Sequence, residues 1–220
     1  MKKINTLLFL LITPLLLSAQ RNFHRFSIGA GAGLTDSRGD LSSSQFKRLY
    51  VGSAEYYFTP YVAGVLEAQA GTLSGHDYSN NRYFNNSFKA GLASMKVYAG
   101  QFMDHYRGAF DSKTNFKRTM EGTFISAGAG MIKNNQTQIY RQNNNPLFQG
   151  SNSNKDIFIP VGVGIDNSGF NSRVIAGIRY QYNFVLGDQV DGYSMPGSRN
   201  DMYNTFTFSV KYKFGPKGIY

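Results

Sequence analysis

From Arg25 onward the chain alternates apolar with polar or small residues, and that period of two is kept over segments of about ten residues. The last segment shows it best. Phe206, Phe208, Val210, Tyr212 and Phe214 fall on one face, and Thr205, Thr207, Ser209, Lys211 and Lys213 on the other. The segment before it sets Val174, Ala176, Ile178, Tyr180, Tyr182 and Phe184 against Arg173, Gly177, Arg179, Gln181 and Asn183. Nearer the start, Phe26, Ile28, Ala30, Ala32 and Leu34 oppose Ser27, Gly29, Gly31 and Gly33. No long stretch repeats apolar residues with a helical period, so the spacing predicts an all-β chain.

Eight segments carry the pattern, at about 25–35, 46–58, 61–73, 87–102, 119–132, 156–166, 172–185 and 201–214. Soluble antiparallel strands average about 5–6 residues, whereas a tilted strand crossing a bilayer needs about 9–11. In hydrocarbon an unpaired backbone group costs several kcal/mol, so a sheet spans a membrane only when it closes on itself. The predicted fold is therefore an all-β, eight-stranded antiparallel transmembrane β-barrel. The links at 59–60 and 166–171 are short; those at 36–45, 74–86, 133–155 and 186–200 are longer and rich in Asn, Ser, Gly and Asp. This is the expected alternation of short periplasmic turns with longer extracellular loops. Residues 103–118 are long for a periplasmic link and are read either as a loop or as added short strands. A soluble β-sandwich or lipocalin-like barrel is the rival fold; there the apolar rows point inward.

Composition agrees with a membrane barrel. Charged residues are 16% of the 220, against roughly 25% in soluble domains. Aromatics are 15%, all Tyr and Phe, and many stand near segment ends, where interfacial girdles form. The absence of Cys excludes a disulfide framework, thiolate metal sites, a Cys nucleophile and a lipidated N-terminal Cys. Residues 1–19 read as a secretory signal peptide: Lys2 and Lys3, an apolar run from Ile4 to Leu17, then Ser18-Ala19 before Gln20. Residues 20–220 are then the barrel domain. The formal charge falls from +10 to +8 when Lys2 and Lys3 are removed. The basic residues form no patch in sequence, which favours anionic lipid headgroups and lipopolysaccharide over nucleic acid as their partners.

The predicted inner face holds charges of both signs: Glu55, Glu67, Lys96, Arg173, Arg179, Lys211 and Lys213. Buried charges must be paired or solvated. An ion-paired plug satisfies that, and so does a gated polar path. At the carboxyl end, Thr207, Ser209, Tyr212 and Phe214 lie near the polar-x-Gly-x-x-aromatic-x-aromatic pattern of barrel assembly signals, which adds the assembly machinery as a partner.

Enzyme chemistry leaves little trace. Ser74, His76 and Asp77 form a local Ser/His/acid set at the outer end of the third strand, the residue types of an acyl-transfer nucleophile. His24, His76 and His105 are too scattered for a zinc site. Asp36 with Asp40, or Asp188 with Asp191, do not match a calcium loop. Gly29 to Gly33 is no phosphate loop, since it lacks the Lys-Ser/Thr ending and a following helix. Arg38-Gly39-Asp40 reads as turn chemistry. No cofactor is expected. The loop 133–155 is the expected surface for a protein partner.

Four stretches resemble the small outer-membrane β-barrel proteins of Bacteroidota, a family that includes PorG-like components of type IX secretion. They are Phe26 to Gly33 with Gly39-Asp40-Leu41; Tyr56 to Tyr61 with Leu73 to Gly75 and Asp77; Asp188 to Tyr193; and Asn200 to Tyr203 continuing through Lys211 to Gly215. The resemblance implies an outer-membrane barrel without catalytic residues. The functional expectation is a non-enzymatic protein with a structural or interaction role through its loops. The alternatives are a narrow channel or secretion accessory, and a lipid-modifying barrel enzyme.

Overall fold

The structure, a computed structural model, describes residues 23–38, 43–77, 82–103, 119–139, 152–168, 173–187, 190 and 201–218. Nine strands run through them: β1 (Phe23–Arg38), β2 (Ser43–Gln45), β3 (Lys47–Thr59), β4 (Val62–Asp77), β5 (Arg82–Tyr98), β6 (Thr123–Ile139), β7 (Ser153–Ser168), β8 (Val174–Val185) and β9 (Met202–Gly218). All neighbours pair antiparallel, in the order β4-β3-β1-β9-β8-β7-β6-β5, and the β4–β5 pairing closes the ring. Eight long strands therefore make a barrel with no free edge. The three-residue β2 lies outside the ring as a flap on the end of β4.

Parity sorts the side chains as the sequence pattern predicts. Ile28 sits opposite Ala54 on one side and Tyr212 on the other, all pointing outward. Gly29 sits between Ser53 and Lys211, all pointing inward. The outer rows are exposed: Ile28 55%, Leu66 66%, Ile125 63% and Phe208 53%. The inner rows are buried, including Glu55, Glu67, Lys96, Asp166, Arg179 and Lys211. A lipocalin-like or sandwich arrangement is thereby ruled out, because its apolar rows would be the covered ones. On β9 the exterior apolar row runs from Phe206 to Phe214, about 27 Å of strand and about 20 Å of height at a ~40° tilt. That is close to the ~25 Å apolar band of membrane barrels. Aromatic clusters mark both ends of the exterior. Phe214, Phe26, Tyr56 and Phe58 contact in series near the short turns, and Tyr180, Tyr182 and Phe184 near the long loops. No described helix is long and apolar enough to cross a membrane.

The strands run longer than the alternation alone suggests. β6 continues to Ile139 and β7 begins at Ser153, so Asn134, Asn135 and Gln136, read as loop, are strand. Their amides serve the ladder's margin: Asn86 Nδ2 donates to Asn134 Oδ1, and the Asn135 backbone N–H to Asn86 Oδ1. Thr119 to Glu121 form one helical turn, and β6 starts only at Thr123. Residues 104–118 lie outside the described residues, as do the segment read as a signal peptide and most of the long loops. Two inward glycines make room for bulk. A Cβ on Gly130 would meet the Phe158 ring at 2.6 Å, and one on Gly177 would collide with the Asp166 carboxylate.

Candidate functional site: a closed, ion-paired lumen

The inner residues of an eight-stranded barrel converge on a narrow axis, so alternating positions from strands far apart in sequence meet. At mid-height they meet as ions. Glu55 on β3 accepts from Lys96 on β5 at 2.6 Å and from Lys211 on β9 at 3.2 Å. Asp166 on β7 takes a short bond from Lys211 and lies 3.6 Å from Lys96. Tyr57 and Ser27 donate to Glu55 Oε2 at 2.7 and 3.2 Å, and Tyr98 to Asp166 Oδ2 at 2.6 Å. One level toward the long loops, Arg179 on β8 donates to Glu67 on β4 at 2.6 Å, joined by Gln69 at 2.8 Å. Three carboxylates thus face three cations, held by side chains from every barrel strand, β6 contributing the Phe124 ring 4.5 Å from Lys96 Nζ. Low dielectric makes each pair strong and each unpaired member costly, which is why the set is balanced.

Closely packed layers lie on both sides of this ionic layer, and on the long-loop side buried amides such as Gln181 and Asn183 are interleaved with the apolar side chains. Toward the long loops lie Leu49, Leu73, Phe84, Phe88, Ile132, Phe158, Val185 and Tyr203, with Val190 dipping in from the 186–200 segment. Asn86 and Gln136 donate to the Val190 carbonyl at 2.8 and 3.1 Å, while its N–H donates to Asp201 at 2.7 Å. Toward the short turns lie Tyr57, Tyr61, Tyr98 and Phe124, backed by Phe23. The gap left among Glu67, Arg179, Thr207 and Lys211 is about 20 Å³, room for about one water-sized group.

Of the charges read as lumenal, Glu55, Glu67, Lys96, Arg179 and Lys211 meet in this layer. Lys213 stands apart from the ion pairs, with Nζ 4.7 Å from the Tyr57 ring centroid. Arg173 is a correction: it is exposed in the turn before β8, because that strand begins only at Val174. Asp166, at the junction of the 156–166 segment and the link that follows, is not among the charges predicted to be lumenal, whereas β7 runs on to Ser168 and carries it inward. Its even spacing from Gly162 and Gly164 was the available signal. Thr207 and Ser209 point inward, Tyr212 and Phe214 outward, and Phe214 stacks on Phe26. Ser74 and His76 stand two residues apart on β4, opposite Gln45 and Ser43 of the β2 flap; the Asp77 side chain is outside the described residues. Among the described residues no three His, Asp or Glu side chains gather as metal ligands. Asp40, Asp188, Asp191 and His105 lie outside them.

No protein-family model matches the sequence, and no curated protein matches it either. Solved structures do match in shape. Neisserial surface protein A aligns with a TM-score of 0.53 at 15% identity, over 86% of this chain and 97% of its own. Ail, the attachment invasion locus protein of Yersinia pestis, aligns at 0.48 and 12% identity, over 87% and 99%. The N-terminal β-barrel domain of OprF from Pseudomonas aeruginosa aligns at 0.41 and 14% identity, over 88% and 100%. At such identity the first of these speaks for the fold alone.

Proposed function

We propose that the chain is a non-enzymatic integral protein of a bacterial outer membrane, exported by the segment 1–19, that acts through its outer surface and loops. One observation carries this reading. Among the described residues the interior is packed shut: a balanced ionic layer lies between layers of buried side chains, and the gap beside the ions is about 20 Å³, so it offers neither an open path nor a substrate-sized chamber. What remains available for function is the exterior. The apolar outward rows fit a bilayer, and the carboxyl-terminal Thr207 to Phe214 segment fits recognition by barrel assembly machinery. The purified barrel in a planar bilayer is expected to give no unitary conductance steps. Steps of fixed size that change in Glu67→Ala or Arg179→Ala would replace this reading with the narrow-channel alternative. The resemblance to PorG-like proteins supports a narrower version, an accessory role beside a type IX-like secretion machine. Co-purification with secretion-ring components tests it.

A further inference from the structure

The strand register assembles an exterior feature that no stretch of sequence displays. Lys89 on β5 sits opposite Lys133 on β6, which sits opposite Lys155 on β7. All three are exposed on the outer face. Like charges directly opposite on neighbouring strands are destabilising, and among the described residues no carboxylate pairs with any of the three.

Immediately below, toward the short turns, the exterior is hollow. The next register row is Gly52, Ala68, Gly91, Met131 and Ile157, followed by Ala54, Leu66, Ala93 and Ala129. Leu66, Met131 and Ile157 stand up as walls around a floor of glycine and alanine, giving a groove of about 1120 Å³. A second groove of about 580 Å³ shares Ala54, Leu66 and Ala93 with it and extends to Met95. A Cβ at Gly52 or Gly91 would meet nothing within 4 Å, so the floor is open to the outside. From Lys89 to Met95 the groove covers about 20 Å of strand, or about 15 Å of depth at a ~40° tilt, one leaflet of a ~30 Å hydrocarbon core. Elsewhere on the exterior the row Leu34, Phe206, Tyr180 and Val163, from β1 through β9 and β8 to β7, is made of large side chains throughout.

We propose that this face holds a phosphorylated, multiply acylated glycolipid of the outer leaflet, its phosphate on the Lys89–Lys133–Lys155 row and an acyl chain in the groove. The inference rests on the reading of the barrel as a membrane span with its long loops outward. Charge complementarity selects this occupant. A purely apolar partner leaves the lysine row unmatched, and a second copy docked by the same face brings a second lysine row against the first. A phosphate relieves the repulsion, and chain packing against the alanine floor fills the hollow.

The test is binding of radiolabelled lipid A to the refolded mature barrel in nonionic detergent, with dephosphorylated lipid A and phosphatidylglycerol as competitors. Lys89→Gln/Lys133→Gln/Lys155→Gln is expected to weaken binding by roughly 100-fold, since each lysine at an anionic lipid surface is worth about a factor of five. Gly91→Leu, which projects into open space and leaves the fold intact, is expected to weaken it by about tenfold by occupying the groove. Dephosphorylated lipid A and phosphatidylglycerol are expected to compete poorly. Unchanged affinity in the triple variant, or equal competition by either lipid, overturns the proposal. A shift in gel mobility on boiling, checked on every variant, reports separately on whether the chain is a detergent-stable barrel at all.

Discussion

Glu55→Ala is expected to destabilise the barrel by about 3–5 kcal/mol, the cost of leaving buried charge without its partner. The substitution removes the oxygen shared by Lys96 and Lys211. Asp166 is then the one carboxylate facing both ammonium groups, and the Tyr57 hydroxyl loses its acceptor. Water has little room to compensate, because the gap beside the ions is about 20 Å³ and packed layers lie above and below it. Glu55→Gln/Lys96→Met removes one charge of each sign, keeps the Lys211–Asp166 pair, and is expected to recover more than half of the loss. Lys155→Gln, on the exposed exterior, is expected to change stability by less than about 0.5 kcal/mol. Equilibrium unfolding in urea with the protein in lipid vesicles measures all three. Equal small effects for Glu55→Ala and Lys155→Gln would mean that the lumen is wet and the ion pairs are dispensable.

Val210→Arg is expected to cost about 2–4 kcal/mol in the same vesicles, the penalty for a cation on the lipid face near the bilayer midplane. Val210 is 51% exposed and sits halfway along the outward row of β9. At a water-exposed position with that accessibility, an added arginine would be nearly neutral. The size of the effect therefore reports what solvent touches the outer face. Thr205→Arg at the other parity, where the side chain is fully buried, would be disruptive in either solvent and does not discriminate.

The side-chain parity was legible because an outward apolar row and an inward polar row repeat with the backbone's own period. Glu55, Glu67, Lys96, Arg179 and Lys211 could be placed on the inner face from spacing alone. What spacing does not carry is where a strand stops. Asp166 and Arg173 flank one turn and show this from both sides: β7 runs two residues past Asp166, and β8 starts one residue after Arg173. The Asn- and Gln-rich run after Lys133 looked like loop because amides weaken the apolar alternation, yet side-chain amides satisfy the inner surface of a barrel mouth. Register between strands is likewise absent from a single sequence. Lys89, Lys133 and Lys155 are far apart along the chain and become one row only through the β5–β6 and β6–β7 pairings. Val190, in a segment read as surface loop, is buried in the barrel mouth, a tertiary contact with no local signature.

The chain contains no cysteine, so single cysteines can be introduced along β9 and labelled with a fluorophore in bilayers containing brominated lipid. Phe206→Cys, Phe208→Cys, Val210→Cys and Tyr212→Cys are expected to be strongly quenched, and Thr207→Cys and Ser209→Cys to be protected, so that quenching alternates with the strand's period. Uniform protection at all six positions, in a protein that stays dispersed without detergent, would contradict the outward orientation of the apolar rows and the membrane barrel built on it.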